Sequence, residues 1–413
     1  MSDNMKKYFL ILLGAYVPLV SFSNGGIELS LFSHRQASMG FAGIAIAHRS
    51  SIMYQNPGAL AFVYQNHIQF GSGVIAPFTQ FRAETPNLYR EEMNADAFYS
   101  PIYAYGSWRT KNPNFTFGVA LTNPFGYLSS WPEDWKGRFI VQESSIRVYH
   151  LQPTISYRIN EQWGIGVGVT GALGSYLLRR ALPVSGKDAT EGNSELSGRG
   201  FNAGVNVGVY YRPSSSVSFG ISYKSAMKLD ITDGTASFAV PASLQEAYPT
   251  TSFQTSLNLP QNITFGFAYY RPTFTLAMDL SFSDWRKFES QEIIYETETS
   301  LIENEVFNRQ FTSSFSVRMG GEYILTEKIA LRAGWYYNSS PVPDGYLSPE
   351  FPDADVVGLS GGIQIPLASK LSMDLSYVYE FSGERTDLLK DAAFGGTYIG
   401  SSNSIGLGIN YTL

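Results

Sequence analysis

Four histidines, at positions 34, 48, 67 and 150, are the only imidazoles in this 413-residue chain, and it has no cysteine. Thiol nucleophiles, disulfides and Cys-ligated zinc or iron–sulfur centres are thereby excluded. None of His34, His48, His67 or His150 stands in an H-E-x-x-H or G-x-S-x-G context, the settings of a zinc protease and a serine hydrolase. Each reads as a hydrogen-bonded histidine and not as a catalyst. Gly166-Val167-Gly168-Val169-Thr170-Gly171 matches the dinucleotide fingerprint in letters, but it lies inside an alternating stretch with no helix to follow. The glutamates between Arg286 and Phe311, at 289, 292, 296, 298, 303 and 305, could bridge to lipopolysaccharide through divalent cations. A charge run of this kind reads first as a solvated hairpin, and Asp353-Ala354-Asp355 reads the same way. No enzyme and no cofactor is expected.

The chemistry left is recognition of something apolar. A long tail with one anionic head requires an apolar slot ending in one or two cations. Arg179 and Arg180, at the outer end of the fifth predicted strand, are the head-group candidates. Phe125, Trp131 and Trp135, with Tyr127 and Leu128, fall in one long loop, 123–138, and form a predicted greasy landing groove.

The elements that would position these residues are strands. Only 15% of the residues are charged and 15% are aromatic, with a formal net charge of −6, so the chain is neither disordered nor a basic nucleic-acid binder. Lys6 and Lys7, the apolar stretch 8–20 and Ser21-Phe22-Ser23 read as a signal peptide over residues 1–23. No later apolar run is long enough for a transmembrane helix. Beyond residue 66 the apolar period is two: Val217, Phe219, Ile221 and Tyr223 alternate with small residues, as do Ile405, Leu407, Ile409, Tyr411 and Leu413. The opposite face holds mostly Gly, Ser, Thr, Ala and Asn rather than charge. Fourteen strands fit, beginning near 66 and ending at 413. Tight links near 111–113, 160–161, 213–215, 272, 326–327 and 367–369 alternate with long ones. An all-β, transmembrane antiparallel barrel of about 14 strands with short inner turns and long outer loops follows, over residues 66–413 in the outer membrane of a Gram-negative cell. Trp108, Trp163, Trp285 and Trp335 are expected in its interfacial girdles. Residues 24–65 do not alternate, yet carry Leu29, Leu31, Phe32, Ile44, Ile46, Ile52 and Met53. They read as a hatch inside the lumen, because a periplasmic tether would be polar.

The chain resembles the FadL/TodX (OmpP1-like) family of outer-membrane transporters for long-chain fatty acids and other hydrophobic compounds. The resemblance rests on the small-residue segment ending in Asn56-Pro57, on Asn123-Pro124-Phe125-Gly126 followed by Trp135-Lys136-Gly137-Arg138-Phe139, on Leu259-Pro260-Gln261-Asn262 and on Ser340-Pro341-Val342-Pro343-Asp344-Gly345. It implies a fourteen-stranded barrel closed by an amino-terminal hatch, with Asn56 and Pro57 in the gating motif. It also implies that Ile27, with Leu29 and Phe32, lines the ligand slot, and that the third strand is kinked to give a lateral opening. Gly118 is the expected bend. The chain departs from the family at Gly58, where alanine is usual, and at His48-Arg49, where acidic residues are common. The expected partners are a hydrophobic small molecule, outer-membrane lipid and lipopolysaccharide, with no nucleic acid and with the protein acting as a monomer. The alternative reading is a barrel for surface assembly or protein export.

Overall fold

The computed structural model describes residues 27–83, 91–93, 98–184, 191–326 and 329–413, with backbone alone at 91–93. The signal segment 1–23 and one residue of the 326–327 link lie outside the described residues.

Alternating sequence becomes a closed antiparallel barrel of fourteen strands. In chain order they are β1 (His67–Ala83), β2 (Ile102–Arg109), β3 (Phe115–Ser130), β4 (Glu143–Arg158), β5 (Trp163–Leu182) and β6 (Gly192–Ser214). β7 runs in two pieces, Val217–Lys224 and Met227–Ala239, and β8 in two, Thr251–Leu259 and Gln261–Tyr270, with Pro260 at the break. β9 (Phe274–Asp284), β10 (Ser313–Ile324), β11 (Ala330–Asn338), β12 (Val356–Ala368), β13 (Leu371–Ser382) and β14 (Phe394–Thr412) complete the wall. The ring closes where β1 pairs with β14, from His67↔Thr412 to Ala83↔Gly396.

Burial follows the period of two. Along the first piece of β7, Phe219, Ile221 and Tyr223 are exposed while Ser218, Gly220 and Ser222 are buried, the pattern of a lipid-facing row backed by a lumen row. Trp108, Trp163 and Trp335 sit on the exposed row as expected. Trp285 does not: it is buried, edge-on to Phe125 and Phe311.

The strands run further outward than the sequence pattern indicates. β6 begins at Gly192 and not near 199, and β7 and β8 gain whole outer pieces. Beyond the bilayer one face no longer has to be uniformly apolar, so alternation weakens while the hydrogen-bond ladder persists. The 286–311 loop contains the expected hairpin, Ser290–Tyr295 paired with Glu305–Asn308. Asp353 differs from expectation: it is buried and accepts a hydrogen bond from Ser340 Oγ at 2.6 Å. Arg385 ties the same loop down, donating to Ser340 Oγ, the Asp353 carbonyl and the Val342 carbonyl.

Candidate functional site

The segment before β1 is inside the ring. It holds two one-turn helices, α1 (His34–Ala37) and α2 (Ile52–Gln55), and a 3-10 turn, Pro57–Phe62, and nearly all of it is buried. The inward residues of strands all round the barrel touch it. Tyr103 and Tyr105 of β2 reach His34 N and Phe32 O; Gln152 of β4 reaches Met53 O; Asn206 of β6 reaches Tyr54 O. Asp279 of β9 accepts from Gly43 N at 2.7 Å and Ile44 N at 3.1 Å, and Ser360 of β12 accepts from Gly40 N at 2.8 Å.

Asn56 organises the hatch centre. Its Oδ1 accepts from Gly58 N at 3.0 Å, capping the 3-10 turn, while its Nδ2 donates to Ile44 O at 3.0 Å and to Val209 O at 3.1 Å. Pro57 and Gly58 press on the bare glycines Gly164 and Gly166 of β5 and Gly208 of β6, so of the nucleotide-like pattern at 166–171 the first glycine is required by this contact, while Gly168 packs against Gln152 of β4. The departure at Gly58 has a steric reason: a Cβ there would lie 2.6 Å from Gly208 O and 2.8 Å from Gly164 O.

Charge fixes the other side of the hatch. Arg35 forks onto Glu322 of β10 through Nε at 3.1 Å and Nη2 at 2.8 Å. Arg49 donates to Asp374 of β13 at 2.7 Å. Arg332 of β11, with no side-chain exposure, joins the two carboxylates at 2.6 Å each. The His48-Arg49 departure thus supplies one half of a buried clasp.

Two cavities lie on either side of the first described residues. Leu29 N donates to Pro124 O at 2.7 Å, and Gly126 N donates to Ile27 O at 3.0 Å, so residues 27–29 form a one-bridge extension of β3, Glu28↔Phe125. On one side is the larger cavity, lined by Leu29, Leu31, Phe41, Ile75, Tyr127 and Val378 among others. On the other is a smaller one, lined by Glu28, Phe32, Tyr54, Phe125, His150 and Lys224 among others. Lys224 lies 4.2 Å above the Tyr54 ring and 4.9 Å above the Phe32 ring, a cation on two aromatic faces. It has no carboxylate within ion-pair distance among the described residues. His150, 3% exposed, binds Tyr54 Oη through Nδ1 at 2.9 Å and leaves Nε2 without a partner.

The expected residues distribute unevenly over this site. Leu29 faces the larger cavity, Phe32 the smaller, and Ile27 is buried at the bridge. Arg179 and Arg180 are not free head-group cations. Arg179 is held by Glu143 and Glu195, both at 2.7 Å, and Arg180 by Glu305. Phe125, Trp131 and Trp135 do not form an exposed landing groove. Trp131 and Trp135 stack at 4.4 Å and are buried with Phe81 in a core beneath the outer loops, where their area is removed from water. The open apolar surface between the loops is elsewhere, lined by Phe139, Leu182, Phe238, Tyr248 and Leu301. Gly118 is not the bend of β3. Register is regular through it, and Met53 of α2 packs where its side chain would be, with Sδ 2.7 Å from the Cβ position. The shift falls between Thr122 and Phe125, at Asn123-Pro124. There β3 leaves β2, whose pairing with it ends at Tyr103↔Thr122, and Tyr99 Oη donates to Asn123 Oδ1 across the gap.

Lys224 was legible but missed. It continues the inward row Ser218, Gly220, Ser222, so a lone lysine at small-residue parity was the signal.

Fold and lumen together define an outer-membrane transport barrel whose amino-terminal segment packs against the inward residues of its strands. The chain belongs to the outer membrane protein transport protein family (OMPP1/FadL/TodX), whose description matches residues 19–413. It is 22% identical over 393 residues to the long-chain fatty acid transport protein of Salmonella typhi, covering 86% of this chain and 87% of that one. It is 23% identical over 372 residues to outer membrane protein P1 of Haemophilus influenzae, covering 80% and 75%. Among solved structures it resembles a Pseudomonas aeruginosa FadL homologue with a TM-score of 0.82 at 17% identity, covering 94% of this chain and 99% of the other. It also resembles the P. putida toluene transporter TodX, with a TM-score of 0.69 at 14% identity, covering 96% and 99%. The family transports hydrophobic substrates across the outer membrane, and this chain is a transporter, not an enzyme.

Proposed function

We propose that the substrate is a long-chain fatty acid, bound with its carboxylate at Lys224 and His150 and its tail along the apolar lumen, and released sideways into the bilayer as it passes a monomeric barrel surrounded by outer-membrane lipid and lipopolysaccharide. The observation that carries this reading is the half-buried Lys224 ammonium, with no ion-pair partner among the described residues, beside the free His150 Nε2. A neutral hydrocarbon has no use for such a cation, and a partly desolvated charge without a direct ion pair is costly to keep.

Lateral release rests on the hatch and the wall. The Arg35/Arg49 clasp holds the hatch at the periplasmic side, whereas β3 parts from β2 at Asn123-Pro124. Expelling an acyl chain into water costs about 0.8 kcal/mol per CH₂, so a route into lipid is strongly favoured over one through the periplasm. The outer groove at Phe139, Tyr248 and Leu301 serves as the landing surface.

The test is uptake of labelled oleate by cells lacking any other such transporter. Lys224→Met is expected to cut uptake about tenfold or more while Lys224→Arg retains most of it. Equal uptake by wild type and Lys224→Met would refute a carboxylate site here.

A further inference from the structure

Glu28 is the one acidic side chain lining the smaller cavity, and no established role accounts for it. It sits on the 27–29 bridge, paired with Phe125, and its Oε2 is 3.5 Å from Ser283 Oγ. It makes no ion pair within 4 Å among the described residues. A carboxylate turned toward a partly apolar cavity, away from bulk water, is costly unless a cation offsets it. Two cations flank the bridge: Lys224, lining the same cavity, and Arg318 of β10, which donates to Ser30 Oγ at 3.2 Å. The group therefore carries one negative and two positive charges, and the two carboxylates that can face Lys224 are Glu28 and that of a bound ligand.

We propose that Glu28 is a tethered competitor for the head-group site: its carboxylate offsets Lys224 in the empty cavity and lowers the affinity for an incoming anionic amphiphile, which must share or take over that cation. The proposal rests on the carboxylate site proposed above. A transporter benefits from such a device because a fully unopposed Lys224 would retain its cargo. Glu28 thereby narrows the preference for an anion that Lys224 creates, since a neutral amphiphile of the same length neither feels the repulsion nor competes for the cation.

The experiment is equilibrium binding of labelled oleate and of labelled oleyl alcohol to the purified full-length barrel in detergent, for wild type, Glu28→Gln and Lys224→Met. Glutamine preserves shape and removes the charge. Glu28→Gln is expected to tighten oleate about tenfold, from Coulomb repulsion across the cavity in partly screened surroundings, and to leave oleyl alcohol unchanged. Lys224→Met is expected to weaken oleate and spare the alcohol. If Lys224→Met weakens oleate but Glu28→Gln leaves it unchanged or weakens it, the competitor is refuted while the carboxylate site stands. If Glu28→Gln tightens both ligands equally, the bridge acts by packing and the competitor is again refuted. If Lys224→Met leaves oleate untouched, the carboxylate site falls and the role of Glu28 falls with it.

Discussion

Replacing Arg35 by methionine tests what keeps the hatch in place. The side chain is buried and forks onto Glu322 with two hydrogen bonds, and the side chains of the pair are only 7% and 10% exposed. Removing one partner of a buried pair costs about 3–5 kcal/mol. The lower end applies here, because Glu322 keeps Arg332 at 2.6 Å. The lost energy belongs to the seated hatch and not to the ring, whose hydrogen-bond ladder is untouched, so about 3 kcal/mol shifts the seated-to-released ratio by about two orders of magnitude. Single-channel recording in planar bilayers should show open events becoming about a hundredfold more frequent. Because the pair is buried, the ratio of mutant to wild type should hardly change between low and high salt, whereas an exposed pair would be screened. Unchanged conductance from a barrel that still shows the heat-modifiable migration of a folded one would refute the clasp, and so would an effect abolished by salt.

Gly58→Ala should displace the Pro57–Phe62 turn from its place against β5 and β6, raising conductance in the same assay while the barrel still assembles; wild-type conductance would show that the backbone gives way easily at this point. A cysteine replacing Glu298 should be labelled on intact cells by an impermeant reagent and one replacing Asn160 should not, since these exposed positions lie at opposite ends of the barrel; equal labelling would overturn the topology. A disulfide joining the 98–101 stretch to β3 beyond Asn123, at a pair with Cα atoms about 4.4–6.8 Å apart, should stop oleate uptake until it is reduced, with binding retained. Full transport through the verified cross-link would favour release at the periplasmic end.

The barrel was legible because the bilayer imposes one rule on every strand: an apolar residue outward at every second position. Wherever that rule lapses, legibility lapses with it. The outer pieces of β7 and β8 escaped because ladder hydrogen bonds leave no trace in residue type. Trp131 and Trp135 read as a landing surface because sequence shows that a loop is aromatic but not that Phe81 and Tyr398 close over it. Arg179 and Arg180 read as free because Glu143, Glu195 and Glu305 come from other strands and loops. The segment before β1 was legible as apolar with no strand period, yet its charged contacts were not, since Glu322, Arg332 and Asp374 are single charges in otherwise small inward rows and only the closed ring brings them together. The bend of β3 was placed on the more flexible residue, Gly118, when the residue that cannot donate to the ladder, Pro124, was the stronger marker.

The hatch touching inward residues all round the ring has a consequence for biogenesis. A segment that keys side chains into strands on opposite walls, with backbone wedged against Gly208 and Gly334, is more readily enclosed by a closing sheet than fitted into a finished cylinder. The final seam, β1 against β14, joins the strand that directly follows the hatch to the last strand made. A nascent sheet that curls around this segment before that seam zips would use it as a mandrel for circumference and register. A chain lacking it would have to find its fourteen-strand closure unaided, and slower assembly or closure with the wrong strand number is the expected signature.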